Sequence, residues 1–189
     1  MNNGILKENK KASKRNKWWV VVLFIAFAFT LYLVEASPFS STEVAKYNNG
    51  YGTFDMKSYD VDQVTSVLST MEDKGFSVYR SYFICDTFFI LAFGAFQLYL
   101  AMVAFSWCKK KSLRYLVYAV VIARGCFDFV ENVLLYTVLD RFPGKIGTLV
   151  QIASAATQGK LWCIRIWGVS LLIGIFGLVY TKKIRKSIS

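Results

Sequence analysis

Four blocks of apolar residues alternate with short polar segments along the chain. The first, "WWVVVLFIAFAFTLYLV", covers 18–34, and the second, "YFICDTFFILAFGAFQLYLAMVAFSW", covers 82–107. The third covers 115–139 and the fourth 148–181, with a turn over 140–147 whose breakers are Pro143 and Gly144. A helix needs about 20 apolar residues to cross the hydrocarbon of a bilayer. The first block, 18–34, stands at the short end of the workable range of about 17–25 residues, the second and third meet the length, and the fourth exceeds it, so its first two turns are expected to stand above the membrane. The pattern predicts an all-α integral membrane four-helix bundle.

The polar stretch at 35–81 has a pattern of its own. "DVDQVTSVLSTMEDKG" places Val64, Val67, Leu68 and Met71 on one helical face, which predicts an amphipathic helix over about 61–73. Asp60 and Gln63 resemble a capping box, and Gly75 is a candidate C′ stop. A lone amphipathic helix must bury its face against something. The outer end of the bundle is the nearest apolar surface, so the segment is expected to be a cap on it. "VEAS" offers a small-residue cleavage pattern at Ala36, but the first block is longer than a signal-peptide core, so a retained anchor is expected.

Composition agrees with the pattern: 55% of the 189 residues are hydrophobic, against about 45–50% in soluble domains. The net charge of +11 changes the picture only through where it sits. Basic residues gather in the tail at 1–17, in the loop at 108–114 and in the tail at 182–189, each beside an apolar block. That is the positive-inside pattern, and it predicts a plasma-membrane protein with both termini cytoplasmic and 35–81 outside. It favours membrane lipid over nucleic acid as the partner of those charges. There is no histidine, which removes the commonest general base and metal ligand. Cys85, Cys108, Cys126 and Cys163 show no paired spacing, so no disulfide, metal or cofactor is expected.

The candidate chemistry lies inside the apolar blocks. "ARGCFDFVENVLL" carries Arg124, Asp128, Glu131 and Asn132, with the three charges within about 60° on a helical wheel. The second block opens on Asp86, and the fourth holds Thr157, Lys160 and Arg165. Counted inward from the basic collars, Arg165 falls at the depth of Glu131, and Lys160 at that of Asp86. Three acids then face three bases. Each such charge costs roughly 2.5–3.5 kcal/mol at a lipid-exposed helix centre, so the group must turn toward other helices or water. Lys160 and Arg165 are about 140° apart on one helix, so they cannot share a partner. Gly94, Gly168, Ser170, Gly174 and Gly177 are expected to mark close helix contacts.

Several stretches together, "TFDMKSYDVDQVTSVLSTMEDKGFSVYRSY", "CDTFFILAFG", "FDFVENVLL" and "TQGKLW", carry a resemblance. They resemble a group of small four-span membrane proteins, largely bacterial. That group has an outer LD…Y segment, an Asp opening the second span, D-x-x-E-N in the third and T-x-x-K in the fourth. The matching residues are Asp55, Tyr59, Asp86, Asp128, Glu131, Asn132, Thr157 and Lys160, over about residues 50 to 165. Arg124 and Arg165 are outside the pattern. The resemblance implies an architecture and a shared polar site, and no reaction.

The expected function is binding, with or without transport, of a small polar or zwitterionic ligand or a partner's segment. The site would be an outward-facing charged pocket, with Asp55 and Tyr59 in the cap above it. An alternative is an accessory or immunity-type subunit, working as a homo-oligomer or with a partner membrane protein, whose charges only hold it together. An intramembrane lipid-modifying enzyme is disfavoured, because "GVSLL" around Ser170 is not G-x-S-x-G and no paired base is visible.

Overall fold

The computed structural model describes residues 2–188, with side chains described for 18–184 and for Ser187. The side chains of the basic tail at 1–17, and Arg185 and Lys186 of the last tail, lie outside the described residues. Six helices and no strand are present among them: α1 (Asn2–Ala36), α2 (Ser41–Ala45), α3 (Val61–Ser69), α4 (Asp73–Ala104), α5 (Lys111–Arg141) and α6 (Gly147–Ile188).

Three segments are long and apolar enough to cross a membrane: Trp18–Ala45, Asp73–Ala104 and Gly147–Ile184. The expected third span, α5, is long enough at 31 residues, but Arg124, Asp128 and Glu131 interrupt its apolar run. Its burial pattern inverts that of a soluble amphipathic helix. The charged face, with Asn132, is buried, while Ile122, Phe129 and Val133 point outward and remain about half exposed.

The four long helices alternate in direction, and the side-chain pairs record it. Phe27 stacks on Phe93 at 5.2 Å and Phe24 meets Phe96 at 5.9 Å, so α4 descends as α1 rises. Asp128 meets Lys160 and Glu131 meets Thr157, so α6 recedes three residues as α5 advances three. α5 ends at the residue before Phe142, whose extended backbone is the conformation required ahead of Pro143.

At one end the connecting segments build a cap. Asp60 closes the N-terminus of α3 by accepting from the Gln63 amide at 2.8 Å. Val64, Leu68 and Met71 then bury with Val44, Phe54, Tyr59 and Tyr79, and with Leu135 and Val138 of α5 and Val150 and Ala153 of α6. The first two turns of α6 thus belong to the cap core. At the opposite end a smaller core holds Ala101, Ala104, Phe105, Cys108 and Val117.

Two local expectations are corrected. α3 ends at Ser69 with Thr70 as its cap, and Gly75 lies inside α4 rather than at a C′ position. A Cβ there would stand 2.6 Å from Tyr47 and 2.7 Å from Met71, so close packing, and not a left-handed turn, demands the glycine. Consequently α4 starts at Asp73, two turns before the apolar block at 82–107, and those turns carry cap residues. Among the glycines expected at contacts, Gly174 receives Phe105 and Gly177 receives Trp107, but Gly168 faces open space.

Candidate functional site

A polar cluster sits where α4, α5 and α6 meet beneath the cap. Lys160 is at its centre, 1% exposed. Its ammonium has three donors and three carboxylates around it: Asp128 at 3.0 Å, Glu131 at 2.5 Å and Asp55 of the cap. Carboxylate oxygens of Asp55, Asp128 and Glu131 all lie within 4.8 Å of one another, a spacing that would suit a cation. The lysine supplies that cation from within the chain.

The cap enters this cluster through Tyr59 as well. Thr157 donates to Glu131 at 2.5 Å, and the Tyr59 hydroxyl lies 3.0 Å from Thr157, giving a relay from phenol to hydroxyl to carboxylate. Ser154, one turn before Thr157, donates to the Tyr59 carbonyl at 2.7 Å and fixes the ring's entry. Burial, with the Glu131 carboxylate beside it, pushes the Tyr59 phenol up, so it remains a proton donor. Tyr82 donates to the second oxygen of Asp55 at 3.2 Å.

Below Lys160, Arg124 donates to Asp128 at 2.9 Å and to the Ile90 carbonyl at 3.1 Å, with its guanidinium 4.8 Å from the Phe93 ring centre. Asp86 takes a different partner. Its carboxyl accepts from the Asn132 amide at 2.6 Å, and no ion pair reaches it among the described residues.

Nine of the ten residues singled out by the sequence make direct hydrogen bonds or ion pairs here, eight of them being Asp55, Tyr59, Asp86, Arg124, Asp128, Glu131, Asn132 and Lys160. Thr157 joins them as the relay. Arg165 does not. It is exposed on the outer surface of α6, with its guanidinium 5.1 Å from the Trp162 ring. The α5–α6 register sets it opposite Arg124 rather than Glu131. Counting from the basic collars misplaced it because Lys182 lies about two turns past the level of Arg114, so the collars are not level.

That correction changes the charge tally. With Arg165 outside and Asp55 inside, four carboxyls (Asp55, Asp86, Asp128, Glu131) face two cations (Arg124, Lys160). The expected balance of three against three is replaced by an excess of two carboxyls. The top of the cluster is also closed, since Tyr59 and Asp55 occupy the space where an open outer pocket was expected. A lateral groove of ≈ 210 Å³ between α4 and α5, lined by Phe83, Thr87, Asn132 and Tyr136, does reach Asn132.

No family model, curated protein or solved structure matches this chain. The site therefore rests on its own geometry.

Two polar residues, Gln97 and Trp167, escaped the reading of the sequence. Gln97 is fully buried, and neither end of its amide finds a partner. The Trp167 indole N–H and the Arg124 Nε are likewise buried and unpartnered. Gln97 lies one turn below Phe93, whose ring meets Trp167 edge-on at 6.4 Å. These groups extend the polar interior inward from the cluster. A lone amide in the middle of the second apolar block was the available signal.

Proposed function

We propose that this is a four-span membrane protein, α5 being its third span, that holds a small ligand bearing a cationic group, zwitterions included, at the Asp86–Asp128–Glu131–Lys160 cluster. The cap is its outer lid. Support for α5 as a span comes from its inverted surface, polar toward the other helices and apolar outward, which is what lipid demands of a charged helix. The alternating helix directions put the two basic tails and the 105–110 loop at one end and the cap at the other. Basic flanks at that end favour a cytoplasmic side, with the cap outside. The motif order shared with the small four-span proteins points the same way.

The observation that carries the ligand reading is the excess of two carboxyls over cations in a site where Asp86, Asp128 and Glu131 are buried and Asp55 alone is partly exposed. Buried carboxylates are stabilised by paired charge and hydrogen bonds, and Asp86 has only an amide. An ammonium seated between Asp86 and Asp128 would complete the set that Lys160 completes for Asp55, Asp128 and Glu131. Because Asp55 and Tyr59 belong to both lid and site, lifting the cap and opening the site are one motion. The lateral groove at Asn132 offers a second approach, from within the bilayer.

Thermal stability of the purified chain in the presence of ethanolamine, choline, betaine, sodium and acetate tests this. At least one amine raises Tm in the native chain, acetate does not, and Asp86→Asn removes the response while leaving the unliganded Tm close to native. Absence of any amine response in the native chain would defeat the reading.

A second reading, a membrane subunit whose cluster only latches the cap to the bundle, is favoured by the burial of Lys160, Glu131 and Arg124, each 1% exposed. It predicts no solute response and a stoichiometric partner in mild detergent.

A further inference from the structure

The surface of α6 that faces away from the cluster carries a second polar feature. Positions 151, 155, 158, 162, 165, 169, 172, 176 and 179 alternate spacings of four and three, and all are exposed. That is the spacing of a seam made for a partner helix. Gln151, Gln158 and Arg165 occupy the same place in three successive heptads, and Leu172 and Val179 continue it. Beside them Trp162 and Val169 are 59% and 60% exposed.

Arg165 gives this face its meaning. It lies within the apolar segment Gly147–Ile184, about three turns beyond the part of α6 that belongs to the cap core. An arginine facing hydrocarbon is costly and calls for a counter-charge. No carboxylate pairs with it among the described residues, and its one recorded neighbour, the Trp162 ring, is on the same open face. Gly168, one turn further on, has nothing within 4 Å of where its Cβ would be, so a second backbone can approach closely.

A second copy of this chain does not supply the missing charge. Asp86, Asp128 and Glu131 are the acids at membrane depth, and all three are buried within the cluster. A two-fold pairing on the seam would instead set Arg165 against Arg165.

We propose that this face of α6 docks a transmembrane helix of another protein, one that carries an aspartate or glutamate at the level of Arg165 to pair with it and amide-bonding side chains opposite Gln158. The inference goes beyond the ligand site and is independent of it, requiring only that α6 crosses the bilayer.

The test uses the full chain, donor-labelled in lipid vesicles, with acceptor-labelled leucine-rich transmembrane peptides bearing a central Glu, a central Lys or a central Leu. Energy transfer should show the Glu peptide binding about ten-fold more tightly than the Leu peptide, and the Lys peptide no better than Leu. Arg165→Leu should abolish the Glu preference, and Arg165→Lys should keep part of it, with Tm near native in both. Equal binding of the Glu and Leu peptides, or a Glu preference that survives Arg165→Leu, would overturn the proposal. Energy transfer between differently labelled copies of the chain itself, lost in Arg165→Leu, would assign the face to a second copy and overturn it equally.

Discussion

Lys160 of α6 pairs with Asp55 of the cap, 105 residues earlier in the chain. Through this contact a cation buried in the helix bundle fastens the cap, and the same ammonium binds Asp128 and Glu131 of α5. Removing it strands two buried carboxylates, Asp128 and Glu131, and the partly exposed Asp55. Lys160→Met is expected to lower stability by roughly 3–5 kcal/mol, the usual cost of breaking a buried pair from one side. Arg165→Met, on the exposed face, should stay within about 0.5 kcal/mol of native. Denaturation in matched detergent checks both, and equal losses would contradict the placement of the two cations.

Asp55 and Tyr59 reach the cluster from the cap alone, so changing them should loosen the lid and spare the bundle. Asp55→Asn and Tyr59→Phe are each expected to cost about 1 kcal/mol. Hydrogen exchange should quicken over 50–60, with α1 and the inner half of α4 unchanged. Exchange that quickened equally throughout α4 and α5 would show that the cap has no separate motion.

Gly75 is a packing glycine. Gly75→Ala drives a methyl against Tyr47 and Met71, and is expected to destabilise the cap by about 1–3 kcal/mol. A glycine serving as a helix stop with a left-handed backbone would also resist alanine, so the discriminating variant is Met71→Ala in the Gly75→Ala background. Relief of the loss by that second change identifies packing as the cause.

The Asp60 cap on α3 makes a smaller, local prediction. Asp60→Ala removes the acceptor for the Gln63 amide and should cost about 1 kcal/mol. Faster exchange of the Gln63 amide, with Lys160-dependent stability unchanged, is the expected signature.

Much of this architecture was legible in the chain because apolar run length and helical periodicity are local signals. The apolar blocks, the amphipathic face of Val64, Leu68 and Met71, and the shared face of Arg124, Asp128 and Glu131 all follow from spacing within one helix. What depended on relative height between helices was not legible. Lys160 and Arg165 point about 140° apart, so only one could enter the cluster, and the rotation and offset of α6 against α5, which no local pattern encodes, decided that it is Lys160. Asp55 and Tyr59 drew attention only through motif resemblance, since their partners lie about a hundred residues away. Gly75 misled because a glycine after an amphipathic run reads as a stop, whereas here Tyr47 approaches from a distant segment.

The central claim is that the buried carboxyl excess at Asp86 takes up a cationic ligand. Infrared difference spectroscopy on the chain in lipid bilayers, recorded as ethanolamine is added and withdrawn, tests it most directly. A reversible change in the carboxyl bands is expected in the native chain and not in Asp86→Asn. Carboxyl bands unmoved by the amine in the native chain, or moved equally in Asp86→Asn, would contradict it.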